Sequence, residues 1–236
     1  MNLLAIDTST DYCSVAACRG ETIVFRHERA GQRHAERVLG MVDAVLAEAG
    51  LALADIGGIA YGAGPGSFTG LRVACGVTQG LALARAIPVV GIGTLLALVE
   101  EAAEEAALNA AGELSCQRVI ACIDARMGEV YHAAYRMTAA GWVEILPPGL
   151  YRPEAVPAVS GDGWDGCGGG FAAYGGAVAA RYRGQLTVLR SEVAPSARAV
   201  LRLALPRFAA GDTRDPATAT PLYLRDKVAL KTSERT

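Results

Sequence analysis

The spacing of apolar and polar positions switches between two periods from the start of this chain. Leu3-Leu4-Ala5-Ile6 reads as a buried strand that stops at the polar run Asp7-Thr8-Ser9-Thr10. Tyr12 to Cys18 and Thr22 to His27 are two more strand-like runs, separated by the hairpin signal Arg19-Gly20-Glu21. The period then lengthens. Val38, Met41, Val42, Val45 and Ala49 fall on one face of a helix from His34 to Ala49, which Gly50 closes. Ile59-Ala60-Tyr61 is a fourth strand, and a second helix runs from Phe68 to Ala86. The order is strand, strand, strand, helix, strand, helix, strand.

The second half repeats the strand signals less regularly. Val119 to Ile123 and Glu129 to Met137 flank a turn at Asp124 to Gly128 and predict a hairpin. Trp142 to Leu146, a glycine-rich region from Gly161 to Gly176, a helix through Val178 to Tyr182, and Thr187 to Leu189 follow. Pro195-Ser196-Ala197 opens a last helix that Gly211 stops. Between the halves, an alanine-rich helix gives way to Gly112 and Ser115, placing a linker near Asn109 to Gln117. The expectation is an α/β chain of two related lobes, residues 1–110 and a reduced 111–218, with the tail, 219–236, free to return to the first lobe.

The segment between the fourth strand and the second helix reads G-A-G-P-G-S-F-T-G, with Gly62, Gly64, Gly66, Gly70 and Pro65. Neither strand nor helix tolerates that composition, so it is a shaped loop. With Ser67 and Thr69 it meets the start of a helix, the geometry that binds phosphate, although a tight turn with close packing needs the same residues. Gly166 to Gly170, backed by Phe171 and Tyr174, poses a similar choice between an adenosine-binding turn and a flexible loop.

Composition narrows the function. At 236 residues the chain buries a sizeable core but is short for two complete lobes of that kind. Although 52% is apolar, no stretch reaches the roughly 18 uninterrupted apolar residues of a membrane span. Met1-Asn2 carries no positive flank and Asp7 interrupts the apolar run, so no signal peptide is expected and the predicted setting is cytoplasmic. Cys13, Cys18, Cys75, Cys116, Cys122 and Cys167 form no C-x-x-C pair, and His27, His34 and His132 lie far apart, so free thiols and no metal site are expected. A net charge of −2 and 6% aromatic residues supply neither the basic field nor the stacking platforms of an RNA binder acting alone. The basic tail, Arg225, Lys227, Lys231 and Arg235, reads as a solvated terminus.

Asp7-Thr8-Ser9-Thr10, the loop Gly62 to Gly70 with Leu71-Arg72, Asp124 to Tyr131 (D-A-R-M-G-E-V-Y), Pro195-Ser196-Ala197, and Pro221 to Ala229 (P-L-Y-L-R-D-K-V-A) occur in this order. Together they resemble the TsaB (YeaZ) family over essentially the whole chain. The acid and hydroxyls at Asp7 to Thr10 also resemble the first phosphate loop of the actin, sugar kinase and heat-shock ATPase superfamily. The resemblance implies an actin-like, sugar-kinase-like (ASKHA) fold with a reduced second lobe. It implies a non-catalytic subunit of tRNA threonylcarbamoyladenosine synthesis, binding its paralogue TsaD, with the ATPase TsaE on the pair. TsaD would transfer the threonylcarbamoyl group to the adenosine next to the anticodon of tRNAs reading codons that begin with A. ATP or ADP is implied only in the complex with these partners, and tRNA only through them.

Where the TsaD paralogue carries two metal-binding histidines, this chain has Val89-Val90-Gly91-Ile92-Gly93-Thr94-Leu95-Leu96-Ala97-Leu98, with no histidine, cysteine or carboxylate before Glu100. The expected role is therefore a pseudoenzyme, with Asp7, Thr8, Ser9, Gly64, Gly66, Ser67, Thr69 and Gly70 as a vestigial phosphate or nucleotide site. Leu39 and Leu46 widen the apolar stripe of the first helix, and the second helix lacks acids and carries Gly76, Gly80 and Ala84 four residues apart. With the helical interface that the resemblance implies, Val38, Met41, Val42, Val45, Leu46, Leu71, Cys75, Gly76 and Gly80 are expected to face TsaD, or a second copy when the chain is alone.

Two catalytic readings compete. Asp7, the glycine loop and Asp124 suit an ATP-dependent small-molecule kinase or ATPase, but Asp124 is followed by Ala125-Arg126-Met127, not by the small residue and glycine of a second phosphate loop. A protease is much weaker. Ser67 lacks the G-x-S-x-G elbow, and a triad with His132 and Asp124 assembles only on paper.

Overall fold

A computed structural model describes residues 1–109 and 117–225. The linker expected near Asn109 to Gln117 thus falls almost entirely outside the described residues, as do Cys116 and the tail from Asp226.

The first lobe begins with β1 (Asn2–Asp7), β2 (Tyr12–Arg19) and β3 (Thr22–Arg29), an antiparallel meander in which Asp7 pairs with Ser14 and Arg19 with Thr22. After α1 (His34–Glu48), β4 (Gly58–Gly64) joins β1 in parallel, and after α2 (Phe68–Leu83), β5 (Val89–Gly93) joins β4. The sheet order is β3-β2-β1-β4-β5. Central strands buried on both faces explain why Leu3 to Ile6 is uniformly apolar, whereas β3, on the edge, has no fully buried residue and carries Arg26, Glu28 and Arg29. Gly50, with φ 64°, takes the left-handed position after α1, as the C-cap reading requires.

α3 (Thr94–Asn109) leads to the second lobe, where β6 (Arg118–Arg126), β7 (Glu129–Thr138) and β8 (Gly141–Tyr151) form another antiparallel meander. β9 (Trp164–Cys167) joins β6 in parallel, α4 (Gly169–Arg181) follows, and β10 (Leu186–Arg190) joins β9. The order β8-β7-β6-β9-β10 matches the first sheet strand for strand. This is an internal structural repeat that the residues do not display. The reduction of the second lobe lies in its helices: in the place of α1 stands only a 3-10 turn, Pro153–Ala155, with Val156 and Val159 buried beside it.

The repeat also reinterprets Gly166 to Gly170. It is no flexible loop but the β9-to-α4 junction, the counterpart of Gly62 to Gly70. A Cβ on Gly170 would lie 2.4 Å from Cys122 Sγ, so the close approach of α4 to β6 requires glycine there.

The lobes do not divide at residue 218. α5 (Ala197–Ala209) packs Val200, Leu201, Ala204 and Phe208 against Leu3, Ala5, Ala16 and Ala60, on the face of the first sheet opposite α1 and α2. The Ser196 hydroxyl caps it by accepting from the Ala199 amide at 3.1 Å, and the Ala197 amide donates to Ser14 Oγ of β2 at 2.9 Å. Burying side chains such as Leu201 and Val200 is worth roughly 1.5–3 kcal/mol each, so α5 is part of the first lobe's core. The second sheet in turn packs Leu95, Leu98, Val99, Ala102 and Ala106 of α3 against Val119, Ala121, Ala133 and Cys167, so the second lobe comprises α3, β6 to β10 and α4.

Candidate functional site: the cleft between the lobes

The two strand-to-helix junctions face a cleft of about 630 Å³. The first lobe contributes Ser9 to Tyr12, Arg29, Gly66 to Phe68 and Leu71; the second contributes Ile123 to Met127, Tyr131, Gly169 and Ala172. Glu192 to Pro195 and the C-terminal residues Leu222, Tyr223 and Arg225 close the sides.

Of the expected phosphate-site residues, only Ser9, Gly66 and Ser67 line this cleft. Asp7 is fully buried behind it. Its Oδ1 accepts from the Ser9 amide (3.1 Å) and hydroxyl (2.8 Å), while Oδ2 has no hydrogen-bond partner. A Cβ on Gly62 would come within 1.8 Å of that Oδ2, so β4 passes the carboxyl at closest approach. Burial pushes the Asp7 carboxyl from 3.8 up to about 6, against the lowering effect of the two Ser9 hydrogen bonds. Thr8, also buried, donates its hydroxyl to Gly70 O at 2.7 Å, and Ser9 O accepts from the Ser67 amide at 2.7 Å. Ser67 caps α2 by accepting from the Gly70 amide at 3.3 Å. Gly70 is obligatory, since a Cβ would lie 1.8 Å from Thr8 O. The peptide bond Gly64-Pro65 is cis, and Thr69 is exposed. The two loops are thus bonded to each other, and the Thr8 hydroxyl, the Ser9 amide and hydroxyl, and the Ser67 and Gly70 amides are already engaged.

The second-lobe turn holds no matching loop. Arg126, Met127 and Gly128 adopt left-handed φ of 62°, 56° and 75°. The Arg126 amide donates to Asp124 Oδ1 at 2.7 Å, and its guanidinium lies 3.1 Å from Asp124 Oδ2 and 3.6 Å from Asp11 Oδ1 across the cleft. Asp124 is therefore paired with its own neighbour. Sequence reasoning does not single out Asp11, Arg29, Arg126, Tyr223 or Arg225 as site residues: Asp11 follows the motif Asp7 to Thr10, and Arg126, Tyr223 and Arg225 lie inside Asp124 to Tyr131 and Pro221 to Ala229, whereas Arg29 carries no such signal.

The catalytic triad assembled on paper does not form. His132 lies under α4, wholly buried, with Nε2 2.7 Å from Tyr182 Oη; burial lowers its pKa to about 4. Burial likewise pushes the Cys13 thiol up to about 11 and Cys122 to about 12, away from thiolate chemistry. Among the described residues no three His, Cys, Asp or Glu side chains come together as a metal site. No helix is long and apolar enough to cross a membrane, again among the described residues.

The expected partner surface needs correction. Val38, Met41, Val42, Val45, Leu46, Leu71 and Cys75 are buried; all but Leu71 belong to the cluster that packs α1 and α2 on Leu4, Ile6, Val15 and Ile59. The wide stripe is consumed by the chain's own sheet and by contact between the two helices. What faces outward is Leu39, 52% exposed, with Gly40 and Asp43 on α1, and Arg72, Gly76, Gly80 and Leu83, 54% exposed, on α2. A Cβ at Gly40, Gly76 or Gly80 would meet nothing within 4 Å, so these three glycines leave the helix backbones open to an approaching surface.

A β-β-β-α-β-α-β lobe and a second lobe of the same strand order that lacks the first of those helices, facing each other across a cleft lined by strand-to-helix glycine junctions, define an actin-like, sugar-kinase-like protein. Residues 26–160 match the family model described as TsaD: tRNA N6-adenosine threonylcarbamoyltransferase. The chain is 38% identical to the tRNA threonylcarbamoyladenosine biosynthesis protein TsaB of Escherichia coli strain K12, over 98% of this chain and 97% of that one. It is 36% identical to the same-named protein of Haemophilus influenzae, over 98% and 96%. The crystal structure of YeaZ from Pseudomonas aeruginosa superposes with a TM-score of 0.80 at 36% identity, over 94% of this chain and 99% of that one. The chain belongs to the TsaB (YeaZ) family.

Proposed function

We propose that this chain is a non-catalytic subunit of tRNA threonylcarbamoyladenosine biosynthesis. It binds a TsaD-type transferase and supports transfer of the threonylcarbamoyl group to the adenosine next to the anticodon of tRNAs reading codons that begin with A. The names of its relatives support the pathway. The observation that carries the supporting role is the position of Asp7: the acid that opens the first loop is sealed behind β4 and bonded into its own turn. A carboxylate that water cannot reach cannot ligate a magnesium ion that keeps its waters.

Contact with the transferase is assigned to the outward faces of α1 and α2, where Leu39 and Leu83 flank the open backbones at Gly40, Gly76 and Gly80. The same face serves a homodimer when the chain is alone. A TsaE-type ATPase joins the pair, and ATP or ADP is bound only in that assembly.

Co-purification with a TsaD protein, followed by a modification assay with each subunit omitted in turn, tests this reading. Complex formation and loss of modified adenosine on omission of this chain are expected. Failure to bind TsaD, or micromolar ATP affinity with turnover by the lone chain, would overturn it in favour of the kinase alternative.

A further inference from the structure

The C-terminal segment crosses from one lobe to the other along the wall of the cleft, and both halves of it are anchored. On the first lobe, Cys75 Sγ and Gln79 Nε2 of α2 donate to Ala219 O, the latter at 3.0 Å. Tyr61 Oη of β4 both donates to Thr220 O (3.3 Å) and accepts from the Thr220 amide (3.1 Å). The Leu222 amide donates to Ala63 O at 2.6 Å, and a Cβ on Gly64 would lie 2.5 Å from Leu222 O. Tyr223 then lies 5.6 Å from the Phe68 ring, and the Arg72 guanidinium sits 3.2 Å from the Phe68 centroid and 5.1 Å from that of Tyr223.

One residue later the chain belongs to the other lobe. Leu224 packs against the second-lobe cluster that contains Ile123 and Tyr131. Arg225, whose side chain is 14% exposed, donates to Ala125 O (3.0 Å) and Arg126 O (3.4 Å) and pairs with Glu129. Its guanidinium therefore bonds both limbs of the β6-β7 turn, the same turn whose Arg126 reaches Asp11 across the cleft.

We propose that Ala219 to Arg225 is a strap that fixes the angle between the lobes and hence the width of the cleft, with Leu222 and Tyr223 as its fixed end and Arg225 as its clasp. The strap joins the first turn of α2 to the second-lobe turn directly, bypassing α3, so a displacement of α2 is transmitted to the opposite wall of the cleft. The arrangement involves no ligand and stands whether or not α2 faces a transferase.

Hydrogen exchange of the full chain, compared between wild type, Arg225→Ala, Arg225→Lys and Tyr223→Ala, tests this. A strap predicts that Arg225→Ala raises exchange about tenfold, the effect of losing one charge-assisted bond set on a local opening. The rise must occur in peptides covering 124–129 and also in those covering 9–12 and 61–66, which Arg225 does not touch. Tyr223→Ala should reproduce both, Arg225→Lys should restore part, and peptides covering 157–163, remote from the strap, should stay unchanged. Faster exchange confined to 124–129 would mean a local brace and would overturn the proposal, as would no change in any peptide.

Discussion

Replacing Asp7 by Asn removes a buried acid while keeping its shape and the acceptor that Ser9 uses. In the folded protein this carboxyl titrates at about 6; in the unfolded chain it titrates near 3.8. Because the folded state holds the proton more tightly, the contribution of Asp7 is fully present below pH 3.8 and is lost as pH rises through 6. The difference corresponds to roughly 3 kcal/mol. Other groups titrate in both proteins and cancel in the comparison. The stability of Asp7→Asn minus that of wild type should therefore climb by up to about 3 kcal/mol between pH 3.5 and pH 7, with most of the rise between pH 4 and 6. Urea unfolding at half-unit pH intervals, followed by far-UV circular dichroism, measures it. A difference that stays flat across this range would refute the burial argument. The same variant speaks to function: Asp7→Asn should bind TsaD and support modification at wild-type levels, whereas an acid that ligated a metal-nucleotide would be indispensable.

The interface reading predicts opposite behaviour for neighbouring residues of the same helices. Leu39→Asp and Gly80→Arg should abolish association with TsaD in size-exclusion chromatography at unchanged melting temperature, while Met41→Asp and Val45→Asp should unfold the first lobe, because an unpaired charge in that core costs several kcal/mol. Gly70→Ala should lower stability by about 1–3 kcal/mol by forcing Thr8 away from the start of α2, whereas Gly76→Ala, whose Cβ meets open space in the middle of the same helix, should raise it by about 0.5–1 kcal/mol in the same denaturation series. The purified chain alone should form no threonylcarbamoyladenosine and carry no stoichiometric zinc or iron, as measured by nucleoside mass spectrometry and elemental analysis.

Local signals in the residues located nearly every element, because the strands and helices here show their period and several helices also their cap or stop. Leu3 to Ile6, Ser67 before α2, Ser196 before α5 and the glycines after α1 and α5 all act where their chemistry places them. What could not be read was which surface each helix covers. The stripe Val38, Met41, Val42, Val45 and Leu46 looked too wide for a sheet alone, since the periodicity of one helix does not reveal that α2 lies beside it and covers the flank. Chain order likewise placed α5 with the second lobe, because return to an earlier sheet is a long-range contact without a local signature. The glycine loop was visible as a loop. That Asp7 would face β4 and not the cleft depended on the closeness of Gly62, fifty-five residues away. The cross-cleft pair of Arg126 and Asp11 left no pattern, for each is one charged residue at the tip of a turn.

The 3-10 turn Pro153–Ala155, standing where the first lobe has α1, gives the duplicated molecule a polarity. Both lobes carry the same five strands, yet only one presents two neighbouring helices to the outside. A repeat with such a helix pair on each lobe would have two equivalent docking faces and could add subunits at both, the condition for open-ended growth. With one face, two copies that meet there exhaust the surface, and so does one copy that meets a related protein. On the proposed interface the missing helix would set a ceiling on assembly: an isologous union through α1 and α2 would close at a pair, and a second copy and a TsaD-type protein would compete for the same seat.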